Sequence, residues 1–283
     1  MVDYSIFTDT MANMNWKEVE EKSKAKAPVL FPLGVIEEHG PHLPLGTDIY
    51  LSYAICKKIK EELNKQKTDC LIAPPYYWGV NHCTGAFPGT FSLKPETLTM
   101  VLNDIFENLH QFGFEQVYCI NQHGDALHVS TIINSIKEAN ERLNMNIRLL
   151  MEPYDLYQYG LSGKENFIML DNAEYSPELF AEDDISEKDL LDIHAGALET
   201  AAMELFYPDA VCKETANHLK SYSLSESSLQ VWLAGGESVK SVIPLGYAGN
   251  PGGYKKKILM AETIFENLIH YCTKTIIENS LAK

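Results

Sequence analysis

The stretch APVLFPLGVIEEHGPHLPLGTD, residues 27 to 48, begins as a continuous apolar run and ends in a loop dense with potential metal ligands. As far as Ile36 it shows no polar alternation, the pattern of a strand covered on both faces. The twelve residues that follow hold three acids, two histidines, two prolines and two glycines, a composition that turns and cannot continue a helix. Directly after Asp48, Leu51, Ile55, Ile59 and Leu63 recur every four residues as the buried stripe of a helix.

Strand, loop and helix in that order make one unit of an α/β sheet, and the chain repeats it. Further apolar runs are DCLIAPPYY (69 to 77), QVYCINQ (116 to 122) and NIRLLMEPY (146 to 154). Helical stripes lie between and after them. Leu98, Leu102, Ile105, Leu109 and Phe112 form one, with Pro95 near its start and Gly113 at its end. Val129, Ile132, Ile136 and Leu143 form another, and Ile264, Leu268 and Cys272 mark a C-terminal helix. The alternation predicts a mainly parallel sheet between helices. No repeat, linker or boundary divides the chain, so a single domain over residues 1 to 283 is expected. Residues 161 to 192 are acidic with weak periodicity and read either as a mobile flap or as a solvated excursion.

Composition narrows the function classes. The 39 acidic side chains outnumber 23 basic ones, giving a net charge of −16, and no basic stripe is available to neutralise phosphates, so nucleic acid is not an expected partner. No apolar run approaches the ~20 residues needed to cross a bilayer, and the N-terminal residues lack a signal-peptide plan. A cytoplasmic protein with no membrane partner is expected. The six cysteines are scattered and contain no CxxC pair, so they read as reduced core thiols, Cys83 included.

Ligands in open α/β sheets bind beyond the carboxyl ends of the strands. The first strand runs out into Glu37, Glu38 and His39, and the third into His123, Gly124 and Asp125. Residues two apart in extended chain share a face, so Glu37 pairs with His39 and His123 with Asp125. Asp48, opening the next helix, can fold back over the same spot. Acids gathered this way repel one another without cations. Five ligands, one of them a bridging carboxylate, suit two divalent ions about 3.5–4 Å apart. Mixed imidazole and carboxylate ligation fits Zn²⁺, Mn²⁺ or Fe²⁺. Taken singly, each residue also has a plainer use: a histidine bonded within a turn, or Asp48 and Asp125 as helix N-caps. A single ion, with Asp125 reaching it through water, is a further alternative.

LPLGVIEEHGPHLPLGTD resembles the signature of the creatininase (creatinine amidohydrolase) family, and further stretches agree in order: GVNHCTGAFPGTFSL (79 to 93), INQHGDALH (120 to 128), HAGALETAAM (194 to 203) and GYAGNPGGY (246 to 254). The resemblance implies a three-layer α/β/α sandwich, a metal-dependent hydrolase of C–N bonds in small cyclic or formyl amides, and a homo-oligomer, commonly a hexamer. It implies Glu37, His39, Asp48, His123 and Asp125 as ligands of two divalent metals per subunit, Zn²⁺ or Mn²⁺ with Fe²⁺ as an alternative, and Asp48 as the bridge. His194 matches the family's catalytic histidine and Glu199 the acid of its HAGxxET motif, a second catalytic residue that orients the histidine or contacts substrate or metal, although Glu199 also reads as a helix-surface acid. Glu38 stands where the family has Gln, Gly124 where creatininase has Tyr, Asp125 where creatininase has Glu, and Ala126 where an Asn is usual.

The chemistry expected of such a site is amide hydrolysis by a metal-bridged hydroxide, with His194 passing a proton to the leaving nitrogen. His82, Thr84 and Gly124 are candidates for the substrate pocket, and His42 for framing the loop. The substrate alternatives are a creatinine-like amide, a formylamino-pyrimidine and a modified peptide. A metal-binding sensor or assembly protein of the same fold, without catalysis, is the alternative from another class.

Overall fold

The computed structural model describes residues 4–171 and 192–281. Its strands are β1 (Val29–Leu33), β2 (Leu71–Ile72), β3 (Gln116–Asn121), β4 (Asn146–Met151) and β5 (Ile168–Leu170). They pair in parallel in the order β2-β1-β3-β4-β5. The helices in chain order are α1 (Trp16–Lys24), α2 (Thr47–Lys65), α3 (Pro95–Gln111), α4 (Ala126–Leu143), α5 (Ala197–Phe206), α6 (Lys213–His218), α7 (Glu226–Ala234), α8 (Val239–Val242) and α9 (Tyr254–Leu281).

Period-two alternation along buried strands assigns the two outer layers. Leu30, Tyr118, Ile120 and Leu150 face one apolar cluster, which includes Ile55 and Ile59 of α2, Met203 of α5 and Leu268 of α9. Their strand neighbours Val29, Phe31, Val117, Cys119 and Leu149 face the other, with Leu102 and Phe106 of α3 and Ile132 and Ile136 of α4. This is an α/β/α sandwich, and coverage on both faces is why the strands read as unbroken apolar runs. Each fully buried Ile or Leu contributes about 1.5–3 kcal/mol. Ile55, Ile59 and Leu63, all 0% exposed, therefore seat α2 firmly on the sheet.

The strands are shorter than the apolar runs, for identifiable reasons. β2 stops at Ile72 because Pro74 and Pro75 have no N–H to donate, although the chain touches β1 again through the Leu33–Tyr76 bridge. Pro32 is tolerated inside β1 because its edge on that side lies beyond the end of β2; its carbonyl accepts from Tyr76 N–H at 3.1 Å. β4 ends at Met151 rather than Tyr154.

One strand was not expected. Ile168–Leu170 pairs with β4, Leu149 opposite Ile168, inside the stretch read as a flap or excursion. Three residues are too few to show a period. The rest of that stretch, residues 172–191, lies outside the described residues. Among the described residues, no helix is long and apolar enough to cross a membrane.

Candidate metal centre

The loop after β1 is folded back on the sheet by its own backbone. Glu37 N–H donates to Leu45 carbonyl at 2.8 Å, and Gly40 takes φ +64, a conformation that favours glycine. At Gly34 an added Cβ would lie 2.8 Å from Ile49 N, so the first turn of α2 packs directly on the strand end. That close approach delivers Asp48 to the carboxyl end of β1. Across the β1–β3 pair, the end of β3 delivers His123, and the turn before α5 delivers His194.

The side chains brought together are Glu37, His39, Asp48, His123, His194 and Glu199. The first five are 0–8% exposed. His39 Nε2 lies 3.1 Å from Asp48 Oδ1 and 3.2 Å from Glu199 Oε1. His123 Nδ1 lies 3.0 Å from Glu37 Oε2 and 3.2 Å from Asp48 Oδ2. The two oxygens of Asp48 thus face two different groups, His39–Asp48–Glu199 and Glu37–Asp48–His123. Within each group the candidate ligand atoms lie within 4.8 Å of one another. Glu37, His39 and His194 form a third such group.

The histidine tautomers follow from fixed backbone acceptors. His39 Nδ1 donates to Glu37 carbonyl at 3.0 Å, which leaves Nε2 for the carboxylates. His123 Nε2 donates to Val80 carbonyl at 3.1 Å, which leaves Nδ1 for them. Each imidazole therefore turns one nitrogen to the acids and anchors the other, the arrangement expected of metal-ligating histidines.

Electrostatics alone also hold the cluster together. Burial lowers the His39 pKa, but Glu199 and Asp48 outweigh it and hold the group well above its ordinary value. For His123 burial is likewise overcome, by Glu37 and Asp48. Burial raises Asp48, yet His39 and His123 hold it well below the usual carboxylate range. Burial also raises Glu199, and His39 brings it below its ordinary value.

Buried carboxylates in such numbers are costly unless cations neutralise them. Asp48 Oδ2 in particular is buried and meets only His123 Nδ1, at 3.2 Å, so it keeps a lone pair to give. The donor set, three carboxylates and two imidazole nitrogens around a shared Asp48, fits a pair of divalent ions.

His194 borders this cluster. Its Nε2 lies 2.8 Å from the Glu38 carbonyl oxygen and 3.3 Å from the buried Glu38 Oε1. Its ring sits 4.6 Å from that of His39 and 5.4 Å from the Trp232 ring of α7. Burial lowers its pKa, but Glu37 and Glu38 outweigh this and raise it to about 9. Glu199 also accepts Ala195 N–H at 2.6 Å, fastening the His194 turn to α5. His42 is fully buried, donates from Nε2 to Thr200 Oγ1 at 2.9 Å and is held down to about 4, mainly by burial. It ties the loop to α5.

Asp125 is not brought into the cluster. Oδ1 accepts Leu127 N–H at 2.9 Å and His128 N–H at 3.2 Å as the N-cap of α4. Oδ2 accepts His82 N–H at 2.7 Å and Cys83 N–H at 3.1 Å. Four backbone donors occupy the carboxylate, and the shorter reach of Asp relative to Glu keeps it there. Glu199, expected to orient His194 or to contact substrate or metal, stands with His39 and Asp48.

The three pocket candidates divide. Thr84 is fully buried and its hydroxyl donates to Glu37 Oε1, so it orients a candidate ligand. His82 is exposed, with its N–H on Asp125. Gly124 is exposed, and an added Cβ would meet nothing within 4 Å, so space opens beside His123. Burial and the Asp125 and Glu37 carboxylates push the Cys83 thiol up to about 12, which removes it as a nucleophile. No residue pattern marks Trp232, which sits on a short helix with little stripe, or His128 on α4.

The chain is similar to known proteins over most of its length. A sequence model of the Creatininase family, described as creatinine amidohydrolase, matches residues 12–276. The creatinine amidohydrolase of Pseudomonas putida is 27% identical over 213 residues, covering 71% of this chain and 73% of that protein. The mycofactocin precursor peptide peptidase of Mycobacterium ulcerans (strain Agy99) is 33% identical over 100 residues, 34% of this chain and 40% of that protein. Among solved structures, a creatinine amidohydrolase (creatininase) superposes with a TM-score of 0.70 at 21% identity, covering 96% of this chain and 97% of the other. Other creatininase structures that match are described as of Zn-Zn type and as Mn.

Proposed function

The chain belongs to the creatininase family and is a metal-dependent hydrolase acting on C–N bonds, and on that premise we propose that it hydrolyses a small cyclic or formyl amide at a centre of two divalent ions. The observation that carries this reading is the division of Asp48 between two ligand groups, one oxygen to each. Glu37, Asp48 and His123 would hold one ion, and His39, Asp48 and Glu199 the other, Zn²⁺ or Mn²⁺ being favoured. Bound there, such ions polarise the scissile carbonyl and acidify water.

The protein's own groups supply the rest. His194 keeps a proton on Nε2 whenever it donates to the Glu38 carbonyl, and the Glu38 carboxylate at 3.3 Å stabilises its charged form. As the water oxygen bonds to the carbonyl carbon and the C–N bond breaks, the imidazolium gives a proton to the leaving nitrogen and takes back the one the water loses. Trp232 and the His39 ring confine the imidazole, and Thr84 holds Glu37 in orientation. Glu38 adds a carboxylate that favours the protonated imidazole.

A second reading, hydrolysis of a peptide amide, is favoured by the likeness to a peptide peptidase and by the open space at Gly124. The family's assembly as a homo-oligomer, a hexamer in particular, belongs to the same proposal and is read by light scattering. The test of function is a screen of cyclic amides, formyl amides and short peptides. Turnover that a chelator abolishes and Mn²⁺ or Zn²⁺ restores supports the proposal. Metal uptake with no hydrolysis of any class favours a non-catalytic protein.

A further inference from the structure

We propose that His128 is a positioning residue of the metal centre: through Val80 it fixes which nitrogen of His123 faces Glu37 and Asp48. This rests on the two-ion reading above. His128 lies in α4, is 1% exposed, and makes an edge contact with His123 at 5.0 Å between ring centroids.

A closed ring of hydrogen bonds carries the inference. Val80 N–H can only donate, so His128 Nδ1, 3.2 Å away, accepts and holds no proton. The His128 proton then sits on Nε2, 3.2 Å from Asn121 Oδ1. Asn121 Nδ2 in turn donates to the His123 carbonyl at 2.7 Å, which fixes the amide this way round. Val80 carbonyl can only accept, so His123 Nε2, 3.1 Å away, donates to it. His123 Nδ1 is thereby left pointing at Glu37 Oε2 and Asp48 Oδ2.

The backbone is built around this ring. At Gly79 an added Cβ would lie 2.6 Å from His128 Nδ1, an approach only glycine permits. Val80 itself is 3% exposed, so its N–H would be left without a partner if His128 were removed. The segment would then be free to shift, and the carbonyl that fixes the His123 tautomer would shift with it. A histidine that only filled space would have no effect on the choice between the two nitrogens.

The test is calorimetric titration of the metal-stripped full chain with Mn²⁺, in the native sequence and with Glu199→Gln, which leaves Glu37–Asp48–His123 as the intact group. His128→Leu keeps the bulk and removes both nitrogens, and is expected to weaken Mn²⁺ at that group about 10–100-fold, as loss of an outer-shell partner does. The His39 group, which His128 does not touch, should keep its affinity. His128→Asn, whose Oδ1 stands near the place of Nδ1 as acceptor for Val80, should recover most of the loss. Gly79→Ala, which drives the ring off Val80, should reproduce it. Equal weakening at both groups, or unchanged affinity in His128→Leu, overturns the proposal. Absence of Mn²⁺ uptake by the native chain overturns the two-ion reading beneath it.

Discussion

Replacing Asp125 separates holding a metal from holding a loop. Its carboxylate accepts four backbone N–H groups, two at the start of α4 and two from His82 and Cys83. Asparagine caps a helix as well as aspartate but offers one acceptor oxygen, so Asp125→Asn can serve only one of the two pairs. Each charge-assisted bond contributes about 1.5–3 kcal/mol, less where water can replace it. His82 is exposed and Cys83 half-buried, which puts the loss for Asp125→Asn at about 2–3 kcal/mol. Asp125→Ala loses the cap as well, about 1 kcal/mol more. At about 2.1 cal/mol/K per residue, unfolding of this chain carries roughly 0.6 kcal/mol/K, so Asp125→Ala should lower Tm by about 5–7 °C. Thermal unfolding of the metal-free protein reads the stability, and plasma mass spectrometry of the reloaded protein reads its metal. The expected result is a lowered Tm with metal per chain unchanged. An unchanged Tm with one ion lost would refute the assignment and make Asp125 a ligand.

Three further outcomes follow from the same geometry. His194→Gln should lower hydrolysis about 10²–10⁴-fold, the usual worth of a positioned proton donor, and leave metal content intact; loss of metal would instead make His194 a ligand. In the metal-free protein, His39 and His123 are both held well above their ordinary pKa by facing carboxylates, so at neutral pH each carries a proton that a metal must displace. Binding should then release about two protons per chain and weaken as pH falls; calorimetry in buffers of different ionisation heat counts them, and zero release contradicts the charge assignment. At Gly246, φ is +71 and an added Cβ would overlap Glu38 Oε2. Gly246→Ala should therefore displace Glu38 from His194 and cost about 1–2 kcal/mol in backbone strain, reducing turnover without removing metal.

The sheet was legible because its strands are buried on both faces and write themselves as apolar runs, and two of them, β1 and β3, run out into candidate ligands. α2, α3, α4 and the core of α9 were legible from stripes that pack on that sheet. β5 was not, since three residues cannot display a period and their register comes from pairing with β4. The short helices α6 to α8 were missed because little of their surface is buried in a regular stripe.

In the site, local spacing placed Glu37, His39, Asp48 and His123 at strand and helix ends. Spacing could not decide where the Asp125 carboxylate points, because a cap and a ligand have the same residue type at the same position. The competing donors, His82 and Cys83, are more than forty residues away in the chain. Glu199 was visible in its motif, but its approach to His39 depends on how α5 packs on α2, a tertiary fact. His128 looked like one more polar residue on a helix, and its partner is the backbone of Val80, which no residue pattern announces.

Metal content per chain, measured on protein purified without chelator beside an Asp48→Asn variant, tests the centre most directly. About two divalent ions per chain in the native protein, with both groups weakened together in the variant, is the predicted result. No bound ion even after exposure to Mn²⁺ and Zn²⁺, or a variant that keeps one ion at full affinity, would contradict a centre shared through Asp48.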